Sequence, residues 1–173
     1  MNKNVPVVHY LNQFFAQIGG EDKADVGPQI KDGLIGPGRA LQQALGEHGE
    51  IVATIFCGDN FFAEHQEQAI DQLIQRIAEY KPDLLLAGPA FESGRYGIAC
   101  GAICQAAQQR LGIVALAGMD EDNVGASLYR KNIYIINSGV TIARMVPTVQ
   151  RMAALGVKLV RREAIGKPET EGY

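Results

Sequence analysis

The sequence predicts an α/β fold of the doubly wound type, in which one mainly parallel sheet of five strands carries helices on both faces. Five short apolar runs alternate along the chain with amphipathic patterns of helical period, as in a parallel sheet wrapped by helices. The second run is apolar almost throughout, as expected for a strand buried on both faces. With 173 residues, of which 47% are hydrophobic, the chain is long enough to form one such core.

The five predicted strands are rich in β-branched residues or leucine. Their alternation with helices is typical of the flavodoxin-like or Rossmann-like arrangement of a parallel sheet. The strands cover residues 5–10, 51–56, 83–87, 113–117 and 133–136.

Three helices are predicted between or after these strands. Residues 62–78 repeat apolar side chains every three and four positions, and Lys81-Pro82 ends this helix. Residues 97–111 form a second helix, rich in alanine and glycine, that Gly112 caps. A last helix covers about residues 141–160, and Pro147 ends or kinks its first turn.

Two segments depart from the alternating pattern. Residues 12–38 form a connection that is long for a compact domain, and such connections are usually functional loops or lids. Residues 164–173 are polar and predict a linker-like tail. We therefore expect a single α/β domain over residues 1–163 and a tail that leads toward a further, C-terminal half.

Composition narrows the class of protein. The net charge is -3 and the basic residues are scattered, so we expect no nucleic-acid partner. The chain contains no run of the ~18 apolar residues that a membrane span needs, and residues 1–4 are too polar for a secretory signal. Three cysteines without framework spacing predict reduced thiols and a cytoplasmic location.

The candidate site lies where the strands end, because a doubly wound sheet binds ligands outside the carboxyl ends of its strands. The polar residues that follow the first three predicted strands are the candidates for contact with a substrate or anion. They are Asn12, Cys57, Asp59, Asn60, Glu92, Ser93, Arg95 and Tyr96.

The loop after the third strand has the most specific pattern. Glu92, Arg95 and Tyr96 present polar groups at the start of a helix, a setting that suits a carboxylate or phosphate. The alternative is a capped helix on which Arg95 pairs with Glu92 in solvent. The glycine spacing matches neither the dinucleotide fingerprint nor the Walker loop, so nucleotide binding has no support.

The loop after the second strand allows two interpretations of each polar residue. Cys57 is a nucleophile if a cation or helix N-terminus lowers its pKa, and otherwise a small buried apolar residue. Asp59 and Asn60 either cap the following helix or contact a ligand.

Other reactive residues are weaker candidates. Cys100 and Cys104 share an apolar helical face, which favours core packing and no zinc site. His9, at the exit of the first strand, is the only histidine that we select for testing as a base. Residues 120–122 are either a solvated acidic loop or a site for a hard cation.

Several segments together resemble the selenoprotein B subunit of component B of glycine/sarcosine/betaine reductase. They are spread over the whole chain in the same order as in that family, so the likeness is more specific than any single motif. The segments are VHYLNQFF at 8–15, GGE at 19–21, GPG at 36–38, CGDN at 57–60, GPAF at 88–91, GRYG at 94–97, ACGA at 99–102 and EGY at 171–173.

The resemblance implies a part of an oligomeric oxidoreductase of anaerobic amino-acid metabolism. In that family a selenol attacks the α-carbon of glycine, sarcosine or betaine and displaces the amine. The carboxymethyl group then passes to selenoprotein A, and another component releases acetyl phosphate. In the glycine enzyme, a partner subunit carries a pyruvoyl group that holds the amine as a Schiff base.

The sequence departs from the family in two ways. The family's selenocysteine lies in the second half of the subunit, so no residue here inherits its role, and this chain is expected to hold no cofactor. Val124 stands where we expect proline.

Three hypotheses follow. The chain is the N-terminal domain of component B and contacts the small carboxylate substrate. Alternatively, it is a silent assembly domain that docks partner subunits through Phe14, Phe15 and Ile18. The third hypothesis is a stand-alone flavodoxin-like protein that binds a small molecule.

Overall fold

One six-stranded sheet organises the protein, and a computed structural model describes it for residues 4–173. The first three residues, which belong to the predicted domain of residues 1–163 and to the polar start of the chain, lie outside the described residues. The strands are β1 Val5–Asn12, β2 Gln29–Asp32, β3 Gly49–Cys57, β4 Leu84–Ala87, β5 Val114–Met119 and β6 Tyr134–Asn137.

The strand order in space is β2-β3-β1-β4-β5-β6. β1 pairs in parallel with both β3 and β4, and β5 and β6 continue the parallel sheet. These five strands are the five predicted ones. β1 therefore has a paired strand on each side, and all of its residues except Pro6 are buried.

The predicted count of five strands is wrong, because β2 forms inside the long connection. β2 pairs antiparallel with β3 at the edge of the sheet, where Ile30 lies opposite Ile55. The Thr54 hydroxyl also donates to the carbonyl of Gly33, the residue after β2. A four-residue edge strand with one apolar side chain has no hydrophobic period, so the sequence pattern does not reveal it.

Seven α-helices accompany the sheet in the described part of the chain. They are α1 Gly38–Leu45, α2 Asp59–Glu64, α3 Gln66–Tyr80, α4 Gly94–Leu111, α5 Val124–Tyr129, α6 Met145–Arg161 and α7 Pro168–Glu171.

The helices cover both faces of the sheet. Strand residues such as Tyr10 and Ile55 form one apolar core with α2, α3, α4 and α5. Val7 and Leu86 point to the opposite face and form a second core with α1 and α6. Because side chains alternate along a strand, consecutive residues of β1 belong to different cores.

The predicted helices are present with shifted ends. The helix predicted over residues 62–78 is divided at His65 into α2 and α3. α4 begins three residues before its predicted start, and Gly112 caps it in the left-handed conformation, with a φ of 63°. Pro147 lies in the first turn of α6, where its missing N–H removes no helical hydrogen bond.

The segment predicted to be a linker-like tail packs on the domain. The buried Glu171 carboxylate accepts from Lys158 Nζ at 2.7 Å and from the Gly166 amide at 2.8 Å. Beyond it, the Tyr173 ring lies edge-on to Tyr134, with 4.8 Å between centroids. The division of the chain at residue 163 stays a prediction.

Among helices in the described part of the chain, none combines the length and the apolar character that crossing a bilayer requires.

Candidate functional site

The candidate site is a polar cluster at the carboxyl ends of β1 and β3 and the start of α4. The chain passes from β3 across β1 to β4, so the direction of strand addition reverses beside β1. Such a reversal leaves a crevice at the strand ends, and ligands of doubly wound proteins bind there. The structure brings Asn12, Asp59, Asn60, Arg95 and Tyr96 together at this point.

Asp59 is the buried acid of the cluster, with 3% of its surface exposed. Its Oδ2 accepts a hydrogen bond from Asn12 Nδ2 at 3.0 Å, and its backbone N–H donates to Gln13 Oε1 at 3.0 Å. Its Oδ1 has no hydrogen-bond partner within residues 4–173. Burial raises the pKa of this carboxyl, and the bond from Asn12 and the charge of Arg95 partly oppose that rise.

Asp59 and Asn60 do not cap α2 through their side chains. Gly58 occupies the position before the helix, and the Asp59 side chain turns toward β1. The Asn60 side chain accepts from Arg95 Nη1. The capping interpretation of these two residues is therefore wrong, and both side chains belong to the cluster.

Two tyrosines form the buried floor of the cluster. Tyr10 and Tyr96 are completely buried, and their rings lie 6.2 Å apart between centroids. Neither hydroxyl has a partner among the residues that the structure describes. Burial raises the pKa of both phenols well above the usual value, so both hydroxyls remain protonated.

Tyr10 is a member that the sequence interpretation missed. The sequence does contain a signal for Tyr10. It lies two positions before Asn12 in a strand, so the two side chains point to the same face of the sheet.

Arg95 lies at the mouth of the cluster with 40% of its side chain exposed. Its Nη2 donates to Glu21 Oε1 at 2.6 Å, while Nη1 holds Asn60. The alternative interpretation, in which Arg95 pairs with Glu92, is therefore wrong, because Arg95 pairs with Glu21. Sequence reasoning did not select Glu21 because the path of the long connection is set by tertiary contacts.

Glu92 and Ser93 lie on the exposed rim of the site. Ser93 precedes α4 without a capping hydrogen bond from its side chain. Its carbonyl accepts from Asn123 Nδ2 at 3.1 Å, and the Phe91 carbonyl accepts from the same amide at 2.9 Å. Asn123, which the sequence interpretation passed over, thus ties the loop after β4 to the start of α5.

The long connection covers this end of the sheet. The Ala24 carbonyl accepts from the amides of Asn60 and Phe61, and the Val26 carbonyl accepts from Gly58 at 2.7 Å. A Cβ on Gly58 would lie 2.1 Å from the Ala24 carbonyl oxygen, so only glycine permits this approach. The long connection predicted over residues 12–38 thus contains the strand β2, Gln29–Asp32, and it is attached beyond the end of β3 through Ala24 and Val26.

Cys57 lies beneath the cluster as a buried thiol. Its Sγ donates to the Val26 carbonyl at 3.7 Å. Burial raises its pKa to about 12, and the charge of Asp59 adds to that rise. Because the thiolate is the nucleophilic form, this environment disfavours nucleophilic attack by Cys57 near neutral pH.

His9 belongs to the opposite face of the sheet. Its Nε2 lies 2.7 Å from the Gly88 carbonyl, which can only accept, so Nε2 carries the proton. Complete burial lowers its pKa to about 4. A neutral, enclosed imidazole on the far side of β1 does not reach the polar cluster.

A separate cleft of about 650 Å³ lies at the β6 edge of the sheet. Arg130, Lys131, Tyr134 and Tyr173 are among its lining residues. The eight residues predicted for the site all lie elsewhere.

The acidic segment 120–122 and the histidines form no group of metal ligands. Within residues 4–173, no three His, Cys, Asp or Glu side chains converge as they would around a metal ion. The Asp120 carboxylate instead accepts from the backbone of Asp122 at 3.1 Å.

Comparisons with known protein sequences agree on one family. The family model described as glycine/sarcosine/betaine reductase selenoprotein B matches residues 4–173. None of the solved structures matches the chain.

Three curated relatives illustrate the range of the family. Glycine reductase complex component B subunit gamma of Carboxydothermus hydrogenoformans is 53% identical over 96% of this chain and 38% of the relative. Sarcosine reductase complex component B subunit beta of Peptoclostridium acidaminophilum is 44% identical over 99% of this chain and 39% of the relative. Betaine reductase complex component B subunit beta of the same organism is 38% identical, over 95% and 37% respectively. The chain thus spans less than two fifths of these relatives.

Proposed function

Because the chain belongs to the glycine/sarcosine/betaine reductase selenoprotein B family, we propose that it is the N-terminal domain of a component B subunit and binds that subunit's small carboxylate substrate. The curated relatives are components of glycine, sarcosine and betaine reductase complexes. In this proposal the chain works as one part of a multi-subunit oxidoreductase.

The observation that carries the proposal is the position of Arg95. Its partly exposed guanidinium lies at the start of the 18-residue helix α4 and bonds to Asn60, which follows the buried Asp59 in α2. An arginine fork matches a carboxylate with two parallel hydrogen bonds, and a helix N-terminus adds a favourable field. Both features favour a small anion over a neutral ligand.

The chain's contribution is to bind and orient, because its own thiols are unsuited to attack. Cys57, Cys100 and Cys104 are all buried, and burial raises the pKa of each. We assign the attacking selenol to the part of the subunit outside this chain. There the selenium–carbon bond forms as the carbon–nitrogen bond breaks and the amine leaves. Fixing the substrate carboxylate would align its α-carbon for that attack.

The partners in this proposal are the other components of the reductase. A subunit with a pyruvoyl group holds the amine of glycine, and selenoprotein A receives the carboxymethyl group before acetyl phosphate is released. The strand-end loops of this chain would then complete a site that it shares with those components.

The test is the replacement of Arg95 by alanine, studied in two ways. In component B assembled with this chain, Arg95→Ala is expected to lower substrate turnover by roughly a hundredfold or more, because the carboxylate loses its orienting partner. Calorimetric titration of the chain with glycine, sarcosine and betaine should show binding that Arg95→Ala removes.

The matched control is Arg110→Ala. Arg110 lies on the same helix and also forms an exposed ion pair, with Asp71. It should retain both binding and turnover. Equal behaviour of the two variants, with the fold verified by circular dichroism, would overturn the proposed site.

A second candidate function is docking of partner subunits. Phe14, Val140, Ile142 and Val146 are each more than half exposed, which is unusual for large apolar side chains. Phe15 and Ile18, which we expected to share this surface, pack instead against the apolar cluster around Leu11 and Phe56. Docking would be favoured if the chain binds none of the three substrates but retains a partner subunit in a pull-down. The double variant Val140→Ser/Ile142→Ser should then no longer retain that subunit.

A further inference from the structure

We propose that the outer edge of β6 binds an extended segment from the remaining part of a component B subunit, and that this segment joins the sheet as a strand antiparallel to β6. The proposal rests on the proposed function, because it requires a component B subunit that is larger than this chain. The surface shares no residue with the polar cluster at the ends of β1 and β3.

β6 is an edge strand that lacks the usual protection of an edge. It is the last strand of the sheet and pairs only with β5, and within residues 4–173 no strand meets its outer side. Proteins commonly protect a free edge with charged residues or proline. The opposite edge strand, β2, carries Lys31 and Asp32, whereas β6 has the sequence YIIN. The outer side of β6 therefore suits the addition of a strand.

The outward backbone groups of β6 are partly in use. The Asn137 N–H donates to the Gly172 carbonyl at 2.9 Å. The Ser138 N–H donates in the other direction, to the Met119 carbonyl of β5, at 3.0 Å. Backbone groups of successive strand residues point to opposite sides, so Ile135 faces outward together with Asn137. Gly172 thus occupies one outward position, and Ile135 offers the next one along the edge.

The residues Gly172 and Tyr173 define the direction of the added strand. Residues that share a hydrogen bond in an antiparallel pair lie opposite each other, so Gly172 lies opposite Asn137. Tyr173 is then the diagonal neighbour of Tyr134 on one face of the sheet. Their rings do meet edge-on, with 4.8 Å between centroids. A segment that continues in this direction places its following residue opposite Ile135.

The relatives are much longer than this chain. It spans 38% of the glycine reductase subunit and 39% of the sarcosine reductase subunit, so the larger part of a subunit of that length lies outside it. If the chain is the N-terminal domain, as proposed above, the next part of the subunit continues from Tyr173 at the open edge of β6. That part is therefore the occupant that is best placed to bind this edge.

The cleft beside β6 provides room for the side chains of the added strand. It has a volume of about 650 Å³, and Ile133, Ile135 and Arg130 are among its lining residues. Alternate side chains of a strand point to the same face of the sheet. Every second side chain of the added strand would therefore enter the cleft on the side of Ile135.

The first experiment compares hydrogen exchange in the chain alone and in component B assembled with this chain. The Ile135 amide should exchange at least about tenfold more slowly in the assembly, because it becomes hydrogen-bonded to the added strand. The control is Ile30 of β2. Since the Gly33 N–H donates to the Val52 carbonyl of β3, the Ile30 N–H points away from the sheet. Its exchange rate should change by less than about twofold on assembly.

The second experiment removes the outward donor. Ile135→Pro has no N–H at this position and leaves the bonds between β6 and β5 in place, and Ile30→Pro is the same change at the opposite edge. On dilution of assembled component B, the retained share of Ile135→Pro should fall roughly tenfold below that of Ile30→Pro, with the fold of both verified by circular dichroism. Hydrogen exchange needs only the wild-type protein, so it decides the question if Ile135→Pro does not fold.

Three outcomes would overturn the proposal. They are equal exchange of the Ile135 amide in the chain and in the assembly, equal retention of the two proline variants, and protection of Ile135 that increases with the concentration of the chain alone. The last outcome would show that a second copy of the chain covers the edge.

Failure here is distinguishable from failure of the proposed function. If Arg95→Ala lowers turnover but Ile135 stays unprotected in the assembly, the proposed function stands and the role of the β6 edge is wrong. If the wild-type chain does not assemble into component B, both proposals are wrong.

Discussion

Asn12 and Asp59 join the ends of two adjacent parallel strands: the Asn12 amide donates to Asp59 Oδ2 across 3.0 Å in a fully enclosed site. The Asn12 Oδ1 also accepts from the Phe15 amide at 3.0 Å. This one side chain therefore binds one oxygen of a buried carboxylate and a backbone N–H in the first turn of the long connection.

We predict that Asn12→Ala destabilises the protein by about 1–3 kcal/mol, because it leaves a buried carboxylate and a backbone N–H without partners. The free energy of unfolding in urea measures the effect. Asn132→Ala, which changes an exposed asparagine, is the control and should stay within about 0.5 kcal/mol of the wild type. Equal stability of the two variants would contradict the assigned bond.

A second prediction concerns the pH dependence of stability through His9. Burial lowers its pKa from 6.5 to about 4, so below pH 6.5 the unfolded chain binds a proton that the folded chain does not. The neutral His9 therefore costs the folded protein no stability above about pH 6.5, and the free energy of unfolding decreases as the pH falls toward 4. The full loss corresponds to about 3 kcal/mol.

The His9→Gln variant tests this dependence. Its amide replaces the donor to the Gly88 carbonyl and does not titrate. The raised pKa of Asp59 makes the folded protein more stable on acidification, which is the opposite of the effect of His9. Because the wild type and His9→Gln both contain Asp59, this effect cancels when their free energies of unfolding are compared. Urea unfolding between pH 4.5 and 7.5 should therefore show a smaller loss of stability on acidification in His9→Gln. Parallel pH profiles would show that His9 titrates normally.

A third prediction concerns the thiols. Cys57, Cys100 and Cys104 are buried, and burial raises the pKa of each, that of Cys57 to about 12. At pH 7.5, native chains should react with a disulfide reagent at least about a hundredfold more slowly than chains in concentrated urea, where all three thiols become accessible. Rapid reaction of one thiol in the native chain would contradict this prediction and reveal an activated cysteine. Loss of that rapid reaction in Cys57→Ser would identify the activated residue as Cys57.

The parts of this fold that the sequence predicts are those with a strong local signal. The five parallel strands are apolar runs, and the helices between them repeat apolar side chains at helical spacing. The rule that ligands bind beyond the strand ends also brought Asn12, Asp59, Asn60, Arg95 and Tyr96 into one list, and the structure places these five together.

The remaining features depend on contacts between distant segments. β2 is held by its pairing with β3, and Glu21 reaches Arg95 only because Ala24 and Val26 attach the connection to α2. The polar segment 164–173 packs on the domain, where Glu171 accepts a hydrogen bond from Lys158, which lies 13 positions earlier in the chain. No hydrophobic period marks these interactions, so a reading of local patterns does not find them.

The last prediction concerns the close packing of α4 against α5. A Cβ on Gly97 would lie 2.1 Å from Asn123 Oδ1, and a Cβ on Gly125 would lie 2.4 Å from the Gly97 backbone. Gly97→Ala should therefore displace Asn123, whose amide holds the carbonyls of Phe91 and Ser93. We expect a loss of about 1–3 kcal/mol in the free energy of unfolding, as for other overpacked sites.

Gly27→Ala is the matched control, because a Cβ there meets Phe61 at an ordinary 3.7 Å. It should change the free energy of unfolding by less than about 1 kcal/mol. Because Asn123 positions the loop that leads into Arg95, Gly97→Ala should also weaken carboxylate binding in calorimetry, at a temperature where both variants are folded. A Gly97→Ala protein that matches Gly27→Ala in stability and binding would show that α4 and α5 can separate without disturbing the site.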